Sequence, residues 1–227
     1  MRYTNLLFDL DNTLFDAASC EPLAFEYALA KGGVAGPNQY WETFSEINDA
    51  LWDAVVRQEL TPNEVQARRF GDLVAAAGLA ADPKLLADEY VVGMGAYGDL
   101  YPGARDVLDR LRQQARLGLV TNGLGEVVRA RVVRLGLEAL FDAIVISGEV
   151  GVSKPDGAIF ELAFEALGQP AKPTALMVGD SLSSDIAGAI NFGIATCWYN
   201  PARKPRPDGV NIDHEIVALN ELLAVGS

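Results

Sequence analysis

Thr4-Asn5-Leu6-Leu7-Phe8-Asp9-Leu10-Asp11 is a short unbroken apolar run that stops on acid. A strand buried on both faces of a parallel sheet reads this way when it ends at a polar edge. Similar runs recur at Leu117–Val120 before Thr121, Ala143–Ile146 before Ser147, Ala175–Val178 before Gly179-Asp180, and Ile194–Trp198. Between them lie helical patterns at Pro102–Gln113, Glu126–Leu135, Asp156–Leu167 and Leu182–Phe192, several opened by Pro, Ser or Asp and closed by Gly. Strands alternating with such helices imply right-handed crossovers and an α/β, doubly wound, Rossmann-like parallel sheet.

Working outward, residues 17–97 break the alternation. They carry helical periodicity and no strand pattern: Trp41, Phe44, Ile47, Leu51 and Val55 recur at spacings of three and four. Pro22, Pro37, Pro62 and Pro83 fall near expected helix starts, where proline is tolerated. The organisation expected is an α/β core of residues 1–16 and 98–227, with a bundle of about four helices, residues 17–97, inserted after the first strand.

The 227 residues carry a formal net charge of −13. No basic surface is left to neutralise a phosphate backbone, so neither a polynucleotide nor an anionic membrane is an expected partner. A small phosphorylated substrate is compatible, because one bound cation and one lysine reverse the sign locally. Cys20 and Cys197 follow no metal-ligand spacing and read as small buried hydrophobes in a reducing compartment. With no leader-like layout before Tyr3 and no apolar run of the roughly 18 residues that span a bilayer, a cytoplasmic protein is expected, monomeric or a weak homodimer.

In an open α/β sheet, ligands bind beyond the carboxyl ends of the strands. The polar residues there are Asp9 and Asp11, Thr121 and Asn122, Lys154, and Asp180 with Asp185. A single aspartate after a strand is often only a turn or cap residue. Acids at several strand ends on one edge would repel unless a cation bound among them. His214, the only histidine, excludes a histidine metal cluster and is expected at the surface.

The signatures Asp9-Leu10-Asp11-Asn12-Thr13-Leu14, Thr121-Asn122-Gly123, Lys154-Pro155 and Gly179-Asp180-Ser181-Leu182-Ser183-Ser184-Asp185, in that order, resemble the haloacid dehalogenase-like hydrolase superfamily over essentially the whole chain. The helical insert stands where one branch of that family carries its cap. The resemblance implies a magnesium-dependent phosphatase with Asp9 as nucleophile, and the chemistry of phosphate esters gives each residue a task. Mg2+ would take oxygens from Asp9, the backbone carbonyl of Asp11, and Asp180. Asp11 would protonate the leaving oxygen and then activate water. Thr121, Asn122, Gly123 and Lys154 would hold the phosphate, with Asp185 behind them orienting Lys154 or a metal-bound water. A halide leaving group needs no proton, so Asp11 argues for phosphate over a 2-haloacid. The intact set Asp9, Asp11, Lys154 and Asp180 speaks against a non-catalytic binding protein.

A narrower resemblance, carried by Ile146–Pro155, Ala195–Asn200, Asn48–Trp52 and Gln66–Phe70, is to bacterial house-cleaning pyrimidine 5′-nucleotidases. It implies a nucleotide substrate such as dUMP, UMP or dTMP; the alternative is another small phosphate ester, phosphoglycolate or a sugar phosphate. Trp52, Phe44 and Phe70 are candidates to stack a base, and Asn48 or Arg69 to bond its edge or the sugar. Equally, aromatic residues at helical spacing form the core of a bundle. Ser181–Ser184 either touch substrate or cap the following helix.

Overall fold

The computed structural model describes residues 2–225. Six parallel strands form one sheet in the order β3-β2-β1-β4-β5-β6: β1 Asn5–Phe8, β2 Arg116–Thr121, β3 Ala143–Ile146, β4 Ala175–Gly179, β5 Ala195–Tyr199 and β6 His214–Ile216. Five are the apolar runs of the sequence. The sixth was not expected, because three residues are too short to show a period. Its His214 pairs in register with Cys197, and its Nε2 is hydrogen-bonded to the Tyr3 hydroxyl at 2.9 Å. The histidine is therefore a half-buried edge residue of the sheet and not a free surface one.

Side chains alternate across β1. Leu6 and Phe8 pack toward α5 (Ala104–Leu111) and α6 (Gly125–Arg134), while Leu7 packs toward α8 (Gly157–Ala166) and α9 (Ala187–Phe192). Burial on both faces is what the unbroken apolar run encodes. A four-residue turn of helix, α7 (Ser147–Val150), follows β3, and a π-helical turn, Leu182–Ile186, leads into α9.

Between β1 and β2 lie α1 (Ala17–Lys31), α2 (Trp41–Val56), α3 (Pro62–Ala77) and α4 (Pro83–Ala96). Their starts follow local chemistry. Asp16 and Asp82 accept from backbone N–H groups of the first turns of α1 and α4, and Thr61 forms a reciprocal capping box with Glu64 on α3. Pro62 and Pro83 sit at first helical positions, but Pro22 lies inside α1, contrary to expectation. Gly93 of α4 packs on Ala24 of α1, and Gly95 packs on Ala130 of α6; an added methyl at either would meet those atoms within 3 Å. The insert and this face of the sheet share one continuous apolar cluster. No helix among the described residues is long and apolar enough to cross a membrane.

Candidate active site

The parallel register places three strand ends side by side. Phe8 is level with Leu119 of β2 and Val178 of β4, so Asp9 leaves the sheet between Thr121 and Asp180. The Asp9 N–H still donates to Val178 O at 3.0 Å, which fixes its exit from the sheet. Beyond it the chain turns tightly: Leu14 and Phe15 both donate to Leu10 O at 2.9 Å, and Asn12 adopts φ 60°, which asparagine tolerates better than most residues. The turn lays Thr13 on the β4 loop, where its hydroxyl donates to Asp180 Oδ1 at 3.3 Å and accepts the Asp180 N–H at 3.0 Å.

Lys154 is buried to 1% exposure and donates to Asp9 Oδ1 and Asp185 Oδ1, each at 2.6 Å. Its loop is clamped by the Asn122 amide, which donates to Lys154 O at 2.9 Å and accepts the Lys154 N–H at 2.8 Å. Burial alone would favour neutral lysine, but the charges of Asp185 and Asp9 outweigh it and keep the ammonium raised. Burial, then the charges of Asp185 and Asp9, push Asp180 well above the carboxylate range. Asp185 is also raised, by burial first and then by Asp9, against the pull of Lys154.

One oxygen from each of Asp9, Asp180 and Asp185 lies within 4.8 Å of the others. With all three ionised, these carboxylates would face a single lysine with an excess of about two negative charges, which a divalent cation would cancel. An all-oxygen donor set suits a hard ion such as Mg2+. Asp185, expected behind the site, stands in this side-chain group, and the Asp11 carboxylate, which was not expected to bind the ion, points elsewhere. Asp11 Oδ1 accepts from Arg131 Nη1 at 2.5 Å, and burial raises its carboxyl in spite of that arginine.

Thr121 ends β2 fully buried, and its hydroxyl has no hydrogen-bond partner among the described residues. It does not cap α6, whose first turn receives no side-chain bond. A buried hydroxyl at the end of the strand that pairs with β1, without a partner among the described residues, suits a ligand oxygen. Gly123, expected among the phosphate donors, spends its N–H on Ser147 Oγ at 3.0 Å. Ser181 caps the next turn, its hydroxyl accepting the Ser184 N–H at 3.2 Å.

Between these loops and the insert opens a cavity of about 260 Å³. Asn48, Trp52 and Arg69 all line it, as do Glu21, Asp49 and Tyr90, which the sequence reading had not singled out. Arg69 is 3% exposed; its Nη1 donates to Asn48 Oδ1 at 3.2 Å and its guanidinium lies 4.2 Å above the Tyr90 ring. Arg69 Nε and the Tyr90 hydroxyl have no hydrogen-bond partners among the described residues. Burial, and then the charge of Asp11, raises Glu21 to about 7. Phe44 and Phe70 do not reach the cavity: both are fully buried in an aromatic cluster with Phe25 and Tyr90, so the packing alternative holds for them.

Sequence reasoning missed Thr13, although it lay inside the quoted signature. It also missed Arg131, Tyr90 and Glu21, which are single polar positions on helices and carry no motif of their own.

Comparison with known proteins agrees with this geometry. The family model for haloacid dehalogenase-like hydrolases matches residues 3–193. The chain is 34% identical over 222 residues to the pyrimidine 5′-nucleotidase YjjG of Escherichia coli, covering 98% of this chain and 97% of the relative. It is 33% identical over 224 residues to the pyrimidine 5′-nucleotidase PynA of Streptococcus pneumoniae, with 98% and 94% covered. Among solved structures, the magnesium-bound HAD-hydrolase YfnB of Bacillus subtilis superimposes with a TM-score of 0.89 at 34% identity, over 99% of both chains.

Proposed function

The chain belongs to the haloacid dehalogenase-like hydrolase family, and on that premise we propose that it is a Mg2+-dependent 5′-nucleotidase for pyrimidine nucleoside monophosphates. In this reading residues 1–16 and 98–227 are the catalytic core and residues 17–97 the cap. The single observation that carries the reaction class is the clustering of Asp9, Lys154, Asp180 and the unpartnered Thr121 hydroxyl at adjoining strand ends.

Asp9 attacks phosphorus through a carboxylate oxygen; the ester P–O bond breaks as the new O–P bond forms, and the leaving oxygen takes a proton from Asp11. Asp11, now a carboxylate, takes a proton from water, whose oxygen attacks the acyl phosphate of Asp9 and releases inorganic phosphate. Lys154 and the Thr121 hydroxyl bind the non-transferred oxygens, where charge builds in the transition state. Asp9, Asp180 and the Asp11 carbonyl would hold Mg2+, which would supply neutralisation of the phosphate's charge. Asp185 keeps Lys154 pointed at Asp9.

The substrate class rests on the nucleotidase relatives and on the cavity. Trp52, Tyr90 and Arg69 line it, a set of two aromatic rings and one guanidinium that suits a base rich in carbonyl oxygens. Asp49 in the same lining, and Glu21 once it ionises above about pH 7, would repel a second anionic group, which weighs against phosphoglycolate and sugar bisphosphates. Steady-state kinetics with Mg2+ on UMP, dTMP, phosphoglycolate and sugar phosphates tests the reading. The nucleotides should be preferred, turnover should stop in EDTA, and Asp9→Asn should fall below about a tenth of wild-type activity, a barrier change of about 1.4 kcal/mol, while keeping its fold. Equal rates across the panel would remove the nucleotide assignment, and an active Asp9→Asn enzyme would remove the mechanism.

A further inference from the structure

Arg131 is among the largest fully buried side chains of the molecule and takes no part in the chemistry set out above. It extends from α6 with its guanidinium 4.1 Å from the centre of the Phe15 ring. Its Nη1 holds Asp11 Oδ1, and its Nε donates to Met94 O at 2.8 Å. Met94 lies in the last turn of α4, between the two glycines that press that helix onto α1 and α6. One helical turn further along α6, Arg134 donates to Gly95 O at 3.1 Å, Tyr97 O at 3.0 Å and Gly98 O at 2.8 Å. Two arginines thus bind the carbonyl end of α4, where unpaired acceptors and the helix dipole favour cations. Only Arg131 also reaches the acid.

A guanidinium is planar and rigid, so a group bonded through Nε to one partner and through Nη1 to another fixes the two relative to each other. With Oδ1 so held, Asp11 Oδ2 takes no other hydrogen bond among the described residues and is left to the cavity that Asp11 lines. We propose that Arg131 is a positioning residue that sets the orientation of the Asp11 carboxyl and ties it to the seating of α4. A shift of the end of α4 would thereby turn the acid away from the leaving oxygen.

The proposal rests on Asp11 acting as the acid, and a paired measurement separates the two. Nitrophenolate leaves readily unprotonated, whereas the alkoxide of UMP needs the proton. Arg131→Met should therefore lower kcat for UMP by roughly tenfold or more, up to the loss seen in Asp11→Asn, with KM within about threefold and p-nitrophenyl phosphate turnover within about threefold. In an Asp11→Asn background the same change should cost nothing further. Arg131→Lys keeps the cation but not the fork, so it should show the same leaving-group selectivity. Arg134→Met, which loosens the end of α4 but leaves the Arg131–Asp11 contact in place, should lower Tm with a smaller selectivity than Arg131→Met.

Selectivity in Asp11→Asn with none in the Arg131 variants, or additive losses in the double variant, would overturn the positioning role alone. Absence of selectivity in Asp11→Asn itself would overturn the reading of Asp11 as acid. If both Arg131 variants fail to fold while Arg134→Met folds, Arg131 is a structural residue and the proposal falls.

Discussion

Glu21 shows how a single residue couples the cavity to stability. Buried beside Asp11, its carboxyl rises from 4.5 to about 7. The unfolded chain gives up this proton near 4.5 and the folded chain keeps it until about 7. Between those values the unfolded state binds fewer protons, so the residue's contribution to stability falls as pH rises through the window. Glu21→Gln removes the titration. Its Tm relative to wild type should be unchanged near pH 4 and higher by roughly 2 to 4 °C at pH 8 for each kcal/mol recovered; equal melting curves at both pH values would show that the carboxyl is not held protonated. At this scale the sequence was most legible where a residue ends a strand. Asp9, Thr121 and Asp180 could be placed because strand ends converge on one edge whatever the detailed packing. Arg131 could not, because its meaning depends on which face of α6 meets the end of α4, and its partner Asp11 is 120 positions away.

At the level of elements, the loop after β4 is built around the absence of a side chain. Gly179 closes the strand against Asp185, and a methyl group there would overlap the Asp185 carboxylate. Asp185 is in turn one of the two anchors of Lys154. Gly179→Ala should therefore displace Asp185, free Lys154 from half its hold and lower kcat by roughly 10- to 100-fold, as loss of a supporting partner does at metal sites, with KM for a nucleotide affected less. Unchanged kcat would show that Asp185 does not set the lysine. The five longer strands and the four inserted helices were readable from their periods. The short β6 and the interior position of Pro22 were not, since three residues carry no period and α1 starts earlier, at the Asp16 cap, than its proline suggests.

Across the whole molecule, one cavity brings Asp11 and Asn122 of the core loops together with Asn48, Trp52 and Arg69 of the insert. Trp52→Ala or Arg69→Ala should raise KM for UMP, by an amount on the order of 1 to 3 kcal/mol if a stacked base is lost, and leave p-nitrophenyl phosphate nearly untouched, because only the nucleotide reaches the insert. A parallel loss on both substrates with a lower Tm would make these side chains packing residues of the bundle, as Phe44 and Phe70 already are. The central position of β1 also has a consequence in time. Its two neighbours in the sheet are β2 and β4, and the lysine that binds Asp9 is 145 positions further along the chain. At a synthesis rate of about 5–20 residues per second, β1 waits roughly ten to thirty seconds on the ribosome before β4 emerges to pair with it. Both edges of this apolar strand stay open until β2 emerges and one stays open until β4 does, so aggregation of nascent chains should track the speed of translation between residues 17 and 179.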